Sequence, residues 1–204
     1  TGYLYSRAEM NQLRDIVKKH GLYLFSDEVY REFIYTGSPY ISACHLTGIE
    51  ENVVLIDSVS KRYNLCGARI GCIVSHNKDV MAAAMKFAQA RLCPPVIGQH
   101  AAIGALDTPD EYFTAVKEEY IKRRDFMIEG LNRMEGVFTP LPMGAFYTIA
   151  ELPVDDTENF SRWMLETFRI DNETTMVTPA ASFYKTPGKG KNHARIAYVL
   201  EVDE

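Results

Sequence analysis

Lys61 stands in the run Asp57-Ser58-Val59-Ser60-Lys61-Arg62, with Arg69 eight residues after it. An amine held beside hydroxyls and a second cation can do imine chemistry. The amine condenses with a carbonyl, while hydroxyls and a planar, always-charged guanidinium hold an anionic group nearby. A pyridoxal 5′-phosphate site has these needs, and Ser58, Ser60 and Arg69 are the right types to hold its phosphate. Ser26-Asp27-Glu28-Val29-Tyr30 adds a carboxylate and a phenol. A carboxylate beside a pyridine nitrogen keeps that ring protonated and electron-accepting, and a phenol at the ring oxygen tunes the imine. Asp27 and Tyr30, three residues apart, can lie on one side of a turn or helix start. Read alone, they are a strand-end aspartate acting as a helix cap and a packed tyrosine.

The elements around these residues read as an α/β layer. Ser6-Arg7-Ala8-Glu9 is a capping box, and Lys18, Lys19, His20 and Gly21 suit a helix end, so a helix is expected over about Arg7 to His20. Short apolar runs at Leu22–Phe25, Val53–Ile56 and Gly71–Val74 read as buried strands. Ligands of such sheets gather beyond the carboxyl ends of the strands, which is where Asp27 and Lys61 fall. Helices are predicted over Lys78 to about Leu92 and over Ile97 to Leu106, separated by Pro94-Pro95. Thr108-Pro109-Asp110-Glu111 is a second capping box, with proline at the first helical position, opening a long connecting helix over about 109–134. Beyond it, strands at Gly144–Ile149, Thr174–Val177 and Arg195–Val199 and a helix from about Thr157 to Phe168 suggest a small α+β domain. The expected division is 1–112 and 113–204.

Composition narrows the field. The chain has 204 residues, 47% of them hydrophobic and 24% charged, and a formal net charge of −5. That is a globular composition without the cationic field that nucleic acid or an anionic membrane would attract. Cys44, Cys66, Cys72 and Cys93 form no Cys-x-x-Cys pair, which argues against a zinc site or a disulfide framework and fits a reduced, cytoplasmic setting. His45, His76, His100 and His193 show no metal-ligand spacing, and no metal is expected. No signal peptide and no bilayer-spanning run is read. Gly188-Lys189-Gly190-Lys191 lacks the order of a phosphate-binding loop and reads as a surface turn. The chain opens on Thr1-Gly2 and closes directly after a strand-like run, so a piece of a longer polypeptide is expected.

Together these segments resemble the fold-type I pyridoxal phosphate enzymes, specifically the class I/II aminotransferases of the aspartate aminotransferase family. In that family an Asp-x-x-Tyr pair precedes a Ser-x-x-Lys element, an arginine follows the lysine by eight, and a later Arg-Ile strand binds the substrate α-carboxylate. The matching positions are Asp27 and Tyr30, Ser58 and Lys61, Arg69, and Arg195. The resemblance implies the C-terminal part of that transferase fold: part of a large mixed-sheet α/β domain plus a small α+β domain. It makes Lys61 the Schiff-base lysine and proton shuttle, Asp27 the pyridinium partner and Tyr30 the donor to the ring oxygen. Ser58 and Arg69, with help from Ser60, would hold the phosphate. The implied activity is transamination, with aspartate and 2-oxoglutarate as first candidates and a homodimer as the working form. Thr1-Gly2 resembles the tail of an asparagine-rich family stretch whose asparagine contacts the ring. A chain of this extent is therefore expected to bind cofactor poorly by itself. Tyr147 and Phe183 resemble positions near the family's active-site mouth, though packing explains aromatics there equally well. A β-C–S lyase of the same fold and a non-catalytic relative are the alternatives.

Overall fold

A computed structural model describes residues 2–202; Thr1, Asp203 and Glu204 lie outside the described residues. The chain divides into two compact units. One is Leu4–Ala115, and the other is the chain from Val116 onward together with Gly2 and Tyr3.

In the first unit, helix α1 (Arg7–His20) starts and stops where its local chemistry dictates. The Ser6 hydroxyl accepts from the Glu9 amide, the Glu9 carboxylate accepts from the Ser6 amide, and Gly21 takes the left-handed cap at φ 58°. Strand β1 (Leu24–Asp27) begins two residues later than the apolar run suggested. The reason is backbone capacity: Leu22 already donates to Val17 O at the helix end and accepts from the Asn52 side chain. β1 pairs in parallel with β2 (Val53–Ser58), and β2 pairs antiparallel with β3 (Gly71–Val74), giving the order β1-β2-β3. Met10, Val17, Ala43, Leu46, Ile49 and Val53 form the core beneath this sheet.

β3 corrects the expectation of a buried strand. Ile73 is 45% and Val74 48% exposed on this edge strand, so its apolar side chains are only partly covered by the described residues. Between β2 and β3 come the short helix α2 (Val59–Arg62) and a 3₁₀ turn at Cys66–Ala68. Helix α3 (Lys78–Arg91) follows, capped by the Asn77 side chain on the Val80 amide, and then α4 (Val96–Gly104). The long helix α5 (Asp110–Asn132) is shorter at each end than the span of about 109–134. Pro109 stays just outside it, with its carbonyl accepting from Tyr112.

The second unit holds the sheet β4-β6-β5, formed by β4 (Tyr147–Glu151), β6 (His193–Ala197) and the two-residue β5 (Thr178–Pro179), all antiparallel. Its core is Ala150, Leu152 and Ala194, with Val137, Phe160 and Ile196 packed against it. β4 starts later than predicted because Ala145 is left-handed at φ 61° and Gly144 donates to Gly2 O, so neither is free to pair in a ladder. Thr174–Val177 is not a strand. Thr174 instead donates its hydroxyl to Met164 O at the end of α6 (Thr157–Glu166), and pairing with β6 begins only at Thr178.

Candidate active site

The candidate residues of the first unit gather where β1 and β2 end. Asp27 is the last residue of β1, and Ser58 is both the last residue of β2 and the cap of α2, which carries Lys61. The register sets Asp27 beside Ile56 and Ile56 beside Ile73, so by strand alternation Asp27, Ile56, Ser58 and Ile73 share one face of the sheet. Asp27 Oδ1 accepts from the Val29 amide at 3.3 Å, while Oδ2 makes no hydrogen bond among the described residues. The turn after it carries Tyr30, half-buried and edge-on to Phe33 with centroids 6.2 Å apart.

Glu28 anchors that turn. Its carboxylate is 2% exposed, and Oε1 accepts from the Ser26 hydroxyl at 3.0 Å, the Ser42 hydroxyl at 3.0 Å and the Ala43 amide at 2.9 Å. Tyr40 lies close by, and burial, followed by the neighbouring Glu28 charge, pushes its phenol well above the ordinary value.

Ser58 is the hub of the hydroxyl pair. Its Oγ lies 2.8 Å from Ile70 O and 2.8 Å from Ser60 Oγ, and it accepts from the Ser60 amide at 3.1 Å. A hydroxyl has one proton to give. When Ser58 gives it to Ser60, the Ser60 proton is left for an outside acceptor. Arg69 sits just before, held left-handed at φ 56°, with its guanidinium donating to Cys66 O at 2.8 Å. A non-glycine residue there carries strain, and the neighbouring Ile70 carbonyl, bonded by both Ser58 Oγ and the Val59 amide, holds it in place. Gly98 of α4 presses against the same turn so closely that an added Cβ would lie 2.3 Å from Ala68 O.

Ser58, Ser60 and Arg69 line one cavity of about 1050 Å³, whose remaining wall is largely apolar, with Ile56, Ile73 and Met85 among it. Two hydroxyls and a guanidinium at one edge of an apolar space fit a flat ring bearing an anionic group. Asp27, Tyr30 and Lys61 are not in that wall. Lys61 is the third residue of α2 and half-buried. Arg195 belongs to the second unit, exposed on β6.

Sequence reasoning missed an ion-pair group beside Lys61. Asp57 Oδ2 lies 3.1 Å from Arg31 and 3.3 Å from Arg62, and Arg62 Nε lies 3.2 Å from Glu32 Oε1. The Asp57 Oδ1 atom accepts from the Ser58 amide at 2.8 Å. This group ties the turn after β1 to the helix that bears the lysine. Its only sequence signal was Asp57 and Arg62 flanking Lys61, since Arg31 and Glu32 are distant in the chain.

Residues 1–201 match the sequence model of the aminotransferase class I and II family. The chain belongs to that family. An aspartate aminotransferase of Rhizobium meliloti is 31% identical over 218 aligned residues, covering 100% of this chain and 51% of the relative. Among solved structures, the aspartate aminotransferase of Thermotoga maritima superposes with a TM-score of 0.82 at 27% identity, over 100% of this chain and 50% of that one. An aromatic aminotransferase from Pyrococcus horikoshii superposes with a TM-score of 0.83 at 29% identity, over 98% of this chain and 52% of that one. The α/β arrangement described above is thus part of the class I/II aminotransferase fold, and the chain spans about half the length of these relatives.

Proposed function

We propose that this chain is part of an aminotransferase that moves an amino group between an amino acid, aspartate first, and a 2-oxo acid, 2-oxoglutarate first, with pyridoxal 5′-phosphate as cofactor. The observation that carries the reading is Lys61 on a four-residue helix capped by Ser58, whose hydroxyl pairs with that of Ser60, with Ser58, Ser60 and Arg69 on one cavity. When bound, the cofactor would supply an electron-accepting ring that lowers the cost of removing an amino acid's α-proton. Ser58, Ser60 and Arg69 would hold its phosphate: Ser60 by donating the hydroxyl proton that Ser58 leaves free, Ser58 by turning its own proton from Ser60 and Ile70 O to the phosphate, and the guanidinium through the N–H groups not given to Cys66 O. Asp27 would accept the ring N–H at Oδ2, and Tyr30 would donate its phenol proton to the ring oxygen. Lys61 Nζ would hold the cofactor and carry the substrate α-proton. Arg195 would clamp the substrate α-carboxylate with two parallel N–H bonds and so orient the α-C–H bond.

The names of the aspartate aminotransferase relatives support aspartate. The aromatic aminotransferase neighbour makes an aromatic amino acid the comparison substrate. A homodimer would be the working form.

The natural polypeptide carrying these residues should be incubated with pyridoxal 5′-phosphate, reduced with borohydride and mapped by peptide mass. A pyridoxyl group on Lys61, absent from Lys61→Ala, is the expected result. Transamination should fall at least about 10²–10⁴-fold in that variant, the range for losing a positioned acid–base group. Label scattered over surface lysines, or normal turnover by Lys61→Ala, would overturn the assignment.

A further inference from the structure

The guanidinium of Arg195 makes no hydrogen bond or ion pair among the described residues. It is nonetheless bracketed by two aromatic rings, with Cζ 5.5 Å from the Tyr147 centroid and 5.5 Å from the Phe183 centroid. The rings reach it from different elements. Arg195 pairs with Ile149, which puts Tyr147, two residues before on β4, on the same face as its diagonal neighbour. On the other side Thr178 of β5 pairs with Arg195, and the short 3₁₀ turn Ala181–Phe183 follows, delivering Phe183.

We infer that Tyr147 and Phe183 are positioning residues that brace Arg195 for a carboxylate. The inference rests on the reading that Arg195 binds the substrate α-carboxylate. An arginine on an exposed strand position samples many rotamers, and holding it still on binding costs conformational entropy. Two ring faces over Cζ attract the cation without accepting a hydrogen bond, so they restrict the side chain and leave its N–H groups for the ligand. An acidic partner would restrict it too, but would compete with the substrate for the same donors. The brace thus supplies preorganisation without competition. The ligand class it fits is a planar carboxylate presented in the plane of the guanidinium.

The test uses Tyr147→Leu, Phe183→Leu, the double Leu variant, Tyr147→Phe, and Arg195→Ala in the natural polypeptide. The readouts are the Kd for 2-oxoglutarate by calorimetry, KM and kcat for the amino acid, borohydride labelling of Lys61, and melting temperature. Each single Leu variant should raise Kd and KM about three- to tenfold, and the double variant more. Labelling of Lys61 and kcat at saturation should hold within about twofold. Tyr147→Phe, which keeps the ring face, should restore Kd and KM to within about twofold of the parent. If Arg195→Ala raises KM strongly while the Leu variants leave it unchanged, the brace is wrong and the carboxylate role of Arg195 stands. Should Arg195→Ala itself leave Kd and KM unchanged, the carboxylate role falls and the brace with it. A loss confined to melting temperature and kcat would make the rings structural only and overturn the inference.

Discussion

Arg62, the residue after Lys61, shares the Asp57 carboxylate with Arg31: both guanidinium groups reach Oδ2, at 3.3 Å and 3.1 Å. Asp57 has 13% side-chain exposure, so neither contact is fully screened by water. Removing the carboxylate leaves two arginines facing each other and frees the Ser58 amide from Oδ1. Asp57→Ala should therefore destabilise the chain by about 1–3 kcal/mol, the range for charged hydrogen bonds whose partners are left unpaired. The check is urea unfolding, with the midpoint lowered at unchanged slope. Borohydride labelling of Lys61 should fall as α2 loosens, and an unchanged midpoint and label would refute the tether.

Glu32 gives the pH dependence. Burial raises its carboxyl above the ordinary 4.5, Arg31 pulls it partway back, and Asp57 and Asp110 push it up further. The native state then keeps the proton to a higher pH than the unfolded chain does. Its contribution to stability is fully present below 4.5 and is lost as pH rises through the raised value. Glu32→Gln should remove that part of the slope, so its stability advantage over the parent should appear on raising the pH from 4 toward 7. Unfolding midpoints measured across that range decide it. A parent that gains on the variant as pH rises would show that the 3.2 Å Arg62–Glu32 contact outweighs burial.

At Gly98 two effects compete. Alanine gains about 1 kcal/mol over glycine in a helix interior, and that is an upper bound for Gly98, third in α4 and within its first turn. Here the new Cβ would lie 2.3 Å from Ala68 O, a backbone atom that cannot rotate away. Overpacking of that kind costs about 1–3 kcal/mol, so the clash should win. Gly98→Ala should lower the thermal midpoint. It should also weaken binding of inorganic phosphate or of pyridoxal 5′-phosphate, because the displaced turn leads directly into Arg69. A variant as stable as the parent with unchanged phosphate binding would refute the close packing.

Legibility followed the range of the interactions. Helix α1 was readable to the residue, because Ser6, Glu9 and Gly21 terminate it through contacts a few residues long. The starts of β1 and β4 were not, since they depend on distant partners: Asn52 occupies Leu22, and Gly2 occupies Gly144. The segment Thr174–Val177 had strand composition, yet the hydroxyl of Thr174 went to the end of α6. Apolar character at Gly71–Val74 identified a strand without showing that it is a half-exposed edge.

The same division holds for the candidate site. The sequence by itself determined the chemical types and their order: a lysine among hydroxyls, an arginine eight residues on, an Asp-x-x-Tyr pair before them and an Arg-Ile strand after. Side-chain chemistry and short spacings are local properties, so they survive in one dimension. Only the tertiary structure decided that Asp27 and Ser58 share a sheet face, that Asp57 binds Arg31 and Arg62 together, and that two rings bracket Arg195. Those arrangements depend on strand register and on contacts between residues far apart in the chain, and neither is written into any short stretch of residues.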